Sequence, residues 1–179
     1  NTVLYSSLIY GNTLHLFTKE ELRDSLYIHN YFAKHEIDCI KIVSTYWKSL
    51  EVDNNLVLPN SMIIFGGEEL SNSIINKIKK VKPSIRIINH YGPTEATIGK
   101  LLHEVKDNLT GKNVPIGKPF SNTKIYVVDE NLNLCPKGIW GELLIGGKGI
   151  FRGYLNQPSL TNEKRIKNPF QDDEDQLYK

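Results

Sequence analysis

Asn89-His90-Tyr91-Gly92-Pro93-Thr94-Glu95 follows directly on the short β-branched run of residues 85–88. A strand that ends in a Gly-Pro turn presents backbone amides, and here Thr94 and Glu95 add a hydroxyl and a carboxylate. Those are the groups needed to hold a phosphate and its magnesium ion. Tyr91 offers an aromatic face on which a purine can stack. The same stretch also fits an ordinary strand-to-turn connection, in which Gly92 and Pro93 only bend the chain.

Working outward from it, residues 40–43 and 62–65 are further short β-branched runs. Between the last two runs, Leu70, Ile74, Ile75, Ile78 and Val81 are spaced as one face of an amphipathic helix. Lys77-Ile78-Lys79-Lys80 reads as the solvated end of that helix, where cations complement the dipole. Residues 14–17 suggest a strand, and Thr18-Lys19-Glu20-Glu21 a capping box opening a helix to about His35. Strands separated by helices imply βαβ units and a buried parallel sheet, with ligands beyond the carboxyl ends of the strands. Gly66-Gly67-Glu68 stands at a second such end.

The pattern changes after about Lys106. Residues 124–128, an Asp129-Glu130-Asn131 turn, Cys135-Pro136-Lys137-Gly138 and residues 142–145 read as a β meander, and a helix follows near Ser159. The expected fold class is α/β: a parallel βαβ sheet layer, then a β-rich, barrel-like subdomain. Residues 1–106 are assigned to the first part and 107–179 to the second, which is truncated. The glycines from Gly146 to Gly153 do not make a dinucleotide turn, because their spacing is G-x-G-x-x-x-G and Pro158 falls where the helix should continue.

Composition narrows the function. The formal charge of +2 over 179 residues gives no reason to expect a nucleic-acid or membrane partner. No apolar run approaches the ~18 residues of a membrane span, and a cytoplasmic location is expected. Cys39 and Cys135 make no disulfide framework, and the five histidines show no zinc-ligand spacing. Asp172-Asp173-Glu174-Asp175 reads as an exposed loop rather than a metal site. Both ends look cut: the chain starts at Asn1 without an initiating Met and stops inside an apparent strand at Leu177-Tyr178-Lys179.

The string from Asn89 to Glu95 resembles the N-x-Y-G-P-T-E signature of nonribosomal peptide synthetase adenylation domains, within the adenylate-forming, AMP-binding superfamily. Gly141-Glu142-Leu143-Leu144-Ile145-Gly146 and Arg152-Gly153-Tyr154-Leu155 are similar to that family's downstream segment, and Ile64-Phe65-Gly66-Gly67-Glu68 to its glycine turn. Asn156-Gln157-Pro158, Leu160-Thr161, Glu163 and Asn168-Pro169-Phe170 continue the match in order. Phe151 departs from the family's small residue, and Arg165 from its common aromatic.

The resemblance implies two half-reactions. An amino-acid carboxylate attacks the α-phosphate of ATP with Mg2+, and the acyl group then passes to the phosphopantetheine thiol of a carrier domain. Carrier and condensation domains of the same synthetase are the implied partners. By motif, Thr94 touches the α-phosphate and Glu95 holds magnesium. Asn89 bonds the adenine amino group and Tyr91 stacks on its ring, while Gly67, Glu68 and Gly92 shape the nucleotide cleft. Glu142 and Arg152 are scaffold. The family's phosphate loop, the Asp for the substrate amino group, the ribose-binding Asp and the C-terminal lysine lie outside the chain, so these 179 residues alone are expected to be inactive. An acyl-CoA ligase and a non-catalytic nucleotide-binding remnant are the alternatives.

Register from the two motifs assigns Thr2, Lys41, Ile64, Gly66, His90, Ile98 and Gly99 to the side-chain pocket. Lys41 interrupts the apolar Ile40, Ile42 and Val43. It fits an exposed strand face, where its stem snorkels, or a pocket, where a substrate carboxylate compensates a buried ammonium. With His90 as a second potential cation, the set is similar to the pattern of aspartate-activating domains. Aspartate is the expected substrate, with asparagine next.

Overall fold

The chain divides into two units, Asn1–Asn89 with Glu104–Val114 and His90–His103 with Pro115–Lys179. The computed structural model describes residues 2–106, 111–171 and 175–179.

The first unit opens with a helix that the sequence did not suggest, Thr2–Ile9 (α1). Residues 14–17 carry no regular structure. The capping box at Thr18 does form: the Thr18 amide donates to Glu21 Oε2 (2.7 Å) and the Glu21 amide to Thr18 Oγ1 (3.2 Å). It opens only a single 3-10 turn, Glu21–Arg23. Asp24 then adopts extended dihedrals, and its carboxylate accepts the Tyr27 amide, capping a new helix at Ser25–Lys34 (α2). A second strong N-cap so close to the first breaks the expected continuous helix in two.

Cys39–Ile42 (β1) leads into Ser44–Ser49 (α3) and Met62–Gly66 (β2) into Asn72–Val81 (α4); Arg86–Tyr91 (β3) follows. β1 and β2 pair in parallel, with Ile40 opposite Ile63 and Lys41 opposite Ile64. β3 follows β2 in the sheet order, so the parallel βαβ layer expected from the runs of β-branched residues is present. Strand alternation sends Ile63 and Phe65 to one face, where they meet Ile74, Ile75 and Ile78 of α4 and the Trp47 ring of α3. Leu70 precedes α4 and is buried, whereas Val81 is exposed at its last position. The helix ends there because Lys82 precedes Pro83, which disfavours α dihedrals in the residue before it.

In the second unit, Leu101–Glu104 (β4), whose last residue belongs to the first unit, pairs antiparallel with Lys118–Pro119 (β5). Thr123–Val128 (β6), Glu142–Gly147 (β7), Arg165–Lys167 (β8) and Gln176–Tyr178 (β9) make a second sheet, in the order β6-β7-β9-β8. Its pairs β6–β7, β7–β9 and β8–β9 are antiparallel. Asp129 Oδ1 accepts the Asn131 and Asn133 amides and so folds the turn after β6. Val128, Leu144 and Leu177 are fully buried on this sheet. Pro158 is the first residue of Pro158–Lys164 (α5), a position where a missing N–H costs nothing. Phe151 packs edge-on against Tyr154 and Tyr178. Residues 172–174 of the acidic stretch lie outside the described residues.

Candidate functional site

The glycine turn at the end of β2 belongs to the first unit. Gly67 sits at φ +87, a left-handed conformation that glycine adopts at little cost. Glu68 turns its carboxylate onto the start of α3. It accepts bonds from Thr45 Oγ1 (2.6 Å), the Thr45 amide (2.8 Å) and Ser44 Oγ (2.9 Å). The bonds from Thr45 and then Ser44 hold it below the usual carboxylate range. The Glu68 charge is thus bonded to the first residues of a helix, where an anion is favoured.

A pH prediction follows. A depressed folded-state pKa gives stability that is present above the unfolded value and lost as pH falls through the folded one. Thermal unfolding followed from ~pH 7 to ~pH 3 should therefore show Glu68→Gln and the parent chain converging in acid and separating above the ordinary carboxylate pKa. A difference between the two that ignores pH would contradict this account.

Alternation along β1 and β2 puts Lys41, Ile64 and Gly66 on one face. Lys41 and Gly66 line a cavity of about 560 Å³, together with Val3 and Ser7 of α1, Phe17 and Tyr46. Burial pushes the Lys41 ammonium down from its ordinary pKa. Thr2 is the first residue of α1, and its side chain lies outside the described set. Asn89 is buried, and its amide donates to the Val114 carbonyl (3.3 Å).

The remaining residues of the signature lie in the second unit, where residues 91–100 close into a loop. The Lys100 amide donates to the Tyr91 carbonyl (2.9 Å), and the Ala96 and Ile98 amides both donate to the Pro93 carbonyl. A Cβ on Gly92 would lie 2.4 Å from the Ile98 carbonyl oxygen and 2.8 Å from the Lys100 nitrogen, so only glycine fits. Within the loop Thr94–Ala96 forms a 3-10 turn, and Thr97 and Ile98 both take φ +65. Thr94 is exposed, and its hydroxyl meets no hydrogen-bonding group among the described residues. Glu95 is half-buried; Oε1 accepts the Tyr154 hydroxyl (2.6 Å), and Oε2 accepts nothing among the described residues. Tyr91 leaves 37% of its surface exposed. Burial, and secondarily Tyr178, raises its hydroxyl pKa. Gly99 passes so close to His90 that a Cβ would lie 2.4 Å from the imidazole Nε2. Ile98 is exposed beside them in sequence.

These donors suit the expected ligands. A carboxylate oxygen and a hydroxyl, both open at the end of β3, are hard oxygen groups of the kind that Mg2+ and phosphate take. Three further residues have no role in the sequence reading. Lys100 is only 6% exposed and donates to the Lys148 carbonyl; Thr97 Oγ1 donates to the Gly149 carbonyl (2.5 Å). The third, Tyr154, reaches Glu95 across 59 positions. These three side-chain bonds span 48, 52 and 59 positions, so no periodicity could have exposed them.

The profile of the family described as AMP-binding enzyme matches residues 1–155. Gramicidin S synthase 1 of Brevibacillus brevis is 39% identical over 98% of this chain, which spans 16% of that protein. Tyrocidine synthase 1 of Brevibacillus parabrevis is 39% identical over 93% of the chain and 15% of its own length. The chain thus spans well under a fifth of either relative. Among solved structures, a four-domain holo nonribosomal peptide synthetase bound to AMP and glycine aligns with a TM-score of 0.81 at 28% identity, covering 96% of this chain and 13% of its own. The N-terminal subdomain of NpsA from Klebsiella oxytoca shares the fold, with a TM-score of 0.73 at 23% identity, over 87% of this chain and 40% of its own. Among the described residues no helix is long and apolar enough to cross a membrane.

Proposed function

Since the chain belongs to the AMP-binding enzyme family, we propose that it is part of an adenylation domain that activates an amino acid as its aminoacyl adenylate for nonribosomal peptide synthesis. The observation that carries this reading is the pair of open oxygen groups, Thr94 Oγ1 and Glu95 Oε2, held on the loop that Gly92 closes. Thr94 donates a hydrogen bond to a phosphate oxygen, and Glu95 supplies a carboxylate to the metal. Magnesium, when bound, offsets the phosphate charge that the incoming carboxylate must approach. Tyr91 gives the adenine an exposed ring face, and Asn89 and Gly67 keep the nucleotide roles that the family motifs give them. The contribution of the chain is positioning and charge stabilisation rather than covalent chemistry. The phosphopantetheine thiol of a carrier domain then takes the acyl group and AMP departs, in keeping with the four-domain nonribosomal peptide synthetase whose structure aligns with this chain.

The substrate we propose is aspartate, with asparagine next. Lys41 supports it: a lysine whose ammonium is disfavoured by burial, on the wall of a cavity, is complemented by a substrate carboxylate. His90, assigned to the same pocket by the motif register alone, is a second potential donor, and Gly99 leaves its ring the space it occupies. In the complete module, ATP–pyrophosphate exchange measured against all proteinogenic amino acids should peak at aspartate. Truncating one member of a buried charge pair costs ~2–5 kcal/mol, so Lys41→Ala should lower kcat/KM for aspartate by roughly 30-fold or more. An unchanged aspartate preference in that variant would sink the pocket assignment and leave the enzyme class standing.

A further inference from the structure

Glu95 is fixed from two directions by one short segment. The Phe151 amide donates to the Glu95 carbonyl (2.7 Å), and three residues later the Tyr154 hydroxyl donates to Oε1 (2.6 Å). Tyr154 is itself anchored. Its amide donates to Thr161 Oγ1 (2.9 Å) in the middle of α5, and its ring packs edge-on against Phe151 with centroids 4.9 Å apart. Gly153 makes that approach possible, since a Cβ there would lie 2.8 Å from Thr161 Cγ2. A carboxylate has two rotatable torsions beyond Cβ and would otherwise sample several rotamers. Here one oxygen is committed to a phenol and the other accepts nothing among the described residues.

We propose that Tyr154 is a positioning residue for the metal-binding carboxylate: its hydroxyl locks Oε1 of Glu95 and so presents Oε2 to the divalent cation. This rests on Glu95 being the metal ligand, as argued above. Partners of this kind, which orient a ligand without touching the metal, typically alter metal affinity 10- to 100-fold when removed.

The test uses Mn2+ as the probe, in the complete module saturated with a non-hydrolysable ATP analogue, with bound metal read by electron paramagnetic resonance. Tyr154→Phe deletes only the hydroxyl. It should weaken Mn2+ binding about 10-fold or more, leave the amino-acid KM unchanged, and regain exchange activity as metal concentration is raised. Glu95→Gln is the reference. Should Glu95→Gln lose Mn2+ affinity while Tyr154→Phe binds as the parent does, Tyr154 serves packing alone and the inference falls. Unchanged affinity in Glu95→Gln would instead remove the reading of Glu95 as ligand. A lower unfolding midpoint in Tyr154→Phe without rescue by metal also overturns the proposal.

Discussion

Replacing Glu95 with Gln in the complete module is expected to lower amino-acid-dependent ATP–pyrophosphate exchange by about 10²–10³-fold, the usual cost of deleting one preorganised electrostatic group. The substitution removes charge and almost nothing else. A Gln carbonyl can still accept the Tyr154 hydroxyl, and the bond from the Phe151 amide goes to the main chain. Stability should therefore change little, and the loss should fall on kcat rather than on the amino-acid KM, because metal and phosphate charge are needed most in the transition state. The check is a steady-state series alongside thermal unfolding. Full activity in Glu95→Gln would show that the carboxylate takes no part in the chemistry.

Gly92→Ala should have an effect as large by a different route. The added methyl would meet the Ile98 carbonyl oxygen at 2.4 Å, the Ile98 carbon at 2.7 Å and the Lys100 nitrogen at 2.8 Å. All three are main-chain atoms of the loop itself, so no side chain can rotate away. Relief requires the loop to open, which breaks the bond between the Lys100 amide and the Tyr91 carbonyl. Overpacking of this sort costs ~1–3 kcal/mol, and it displaces Thr94 and Glu95, where a shift of ~1 Å costs about 10²-fold in rate. Gly92→Ala should thus lose activity and unfold at lower temperature, whereas Glu95→Gln loses activity alone. Equal unfolding midpoints for Gly92→Ala and the parent chain would mean that the loop has slack the packing does not show.

Much of the scaffold was legible from local pattern. β1, β2 and β3 fall on β-branched runs, and α4 on a 3.6-residue stripe, because burial on one face forces those periods. The misreadings near the N-terminus have a local cause as well. The capping box at Thr18 was recognised and does form, yet Asp24 is a competing cap, and pattern alone does not say which wins. Residues 14–17 are apolar enough for a strand, but among the described residues they pair with none. The residues around the site show a sharper limit. Glu68 lies 23 positions from Thr45 and Tyr154 59 from Glu95, so what each polar group bonds is decided by the fold. Lys100 is buried, and its ammonium bonds the Lys148 carbonyl 48 positions away, which no local pattern announces.

The paired left-handed dihedrals at Thr97 and Ile98 bear on how readily the proposed specificity could be retuned. A β-branched residue at φ +65 is among the most disfavoured occupants of that region, whereas glycine and asparagine enter it readily. Any library built at position 98 therefore competes on two scores at once, fit to the new substrate and relief of backbone strain. Variants carrying Gly or Asn will be enriched for folding whatever they bind. On the proposed pocket assignment, evolution toward a new side chain at position 98 is thus biased before any ligand is met, and selectivity gained there is best judged against an Ile98→Gly reference rather than against the parental isoleucine.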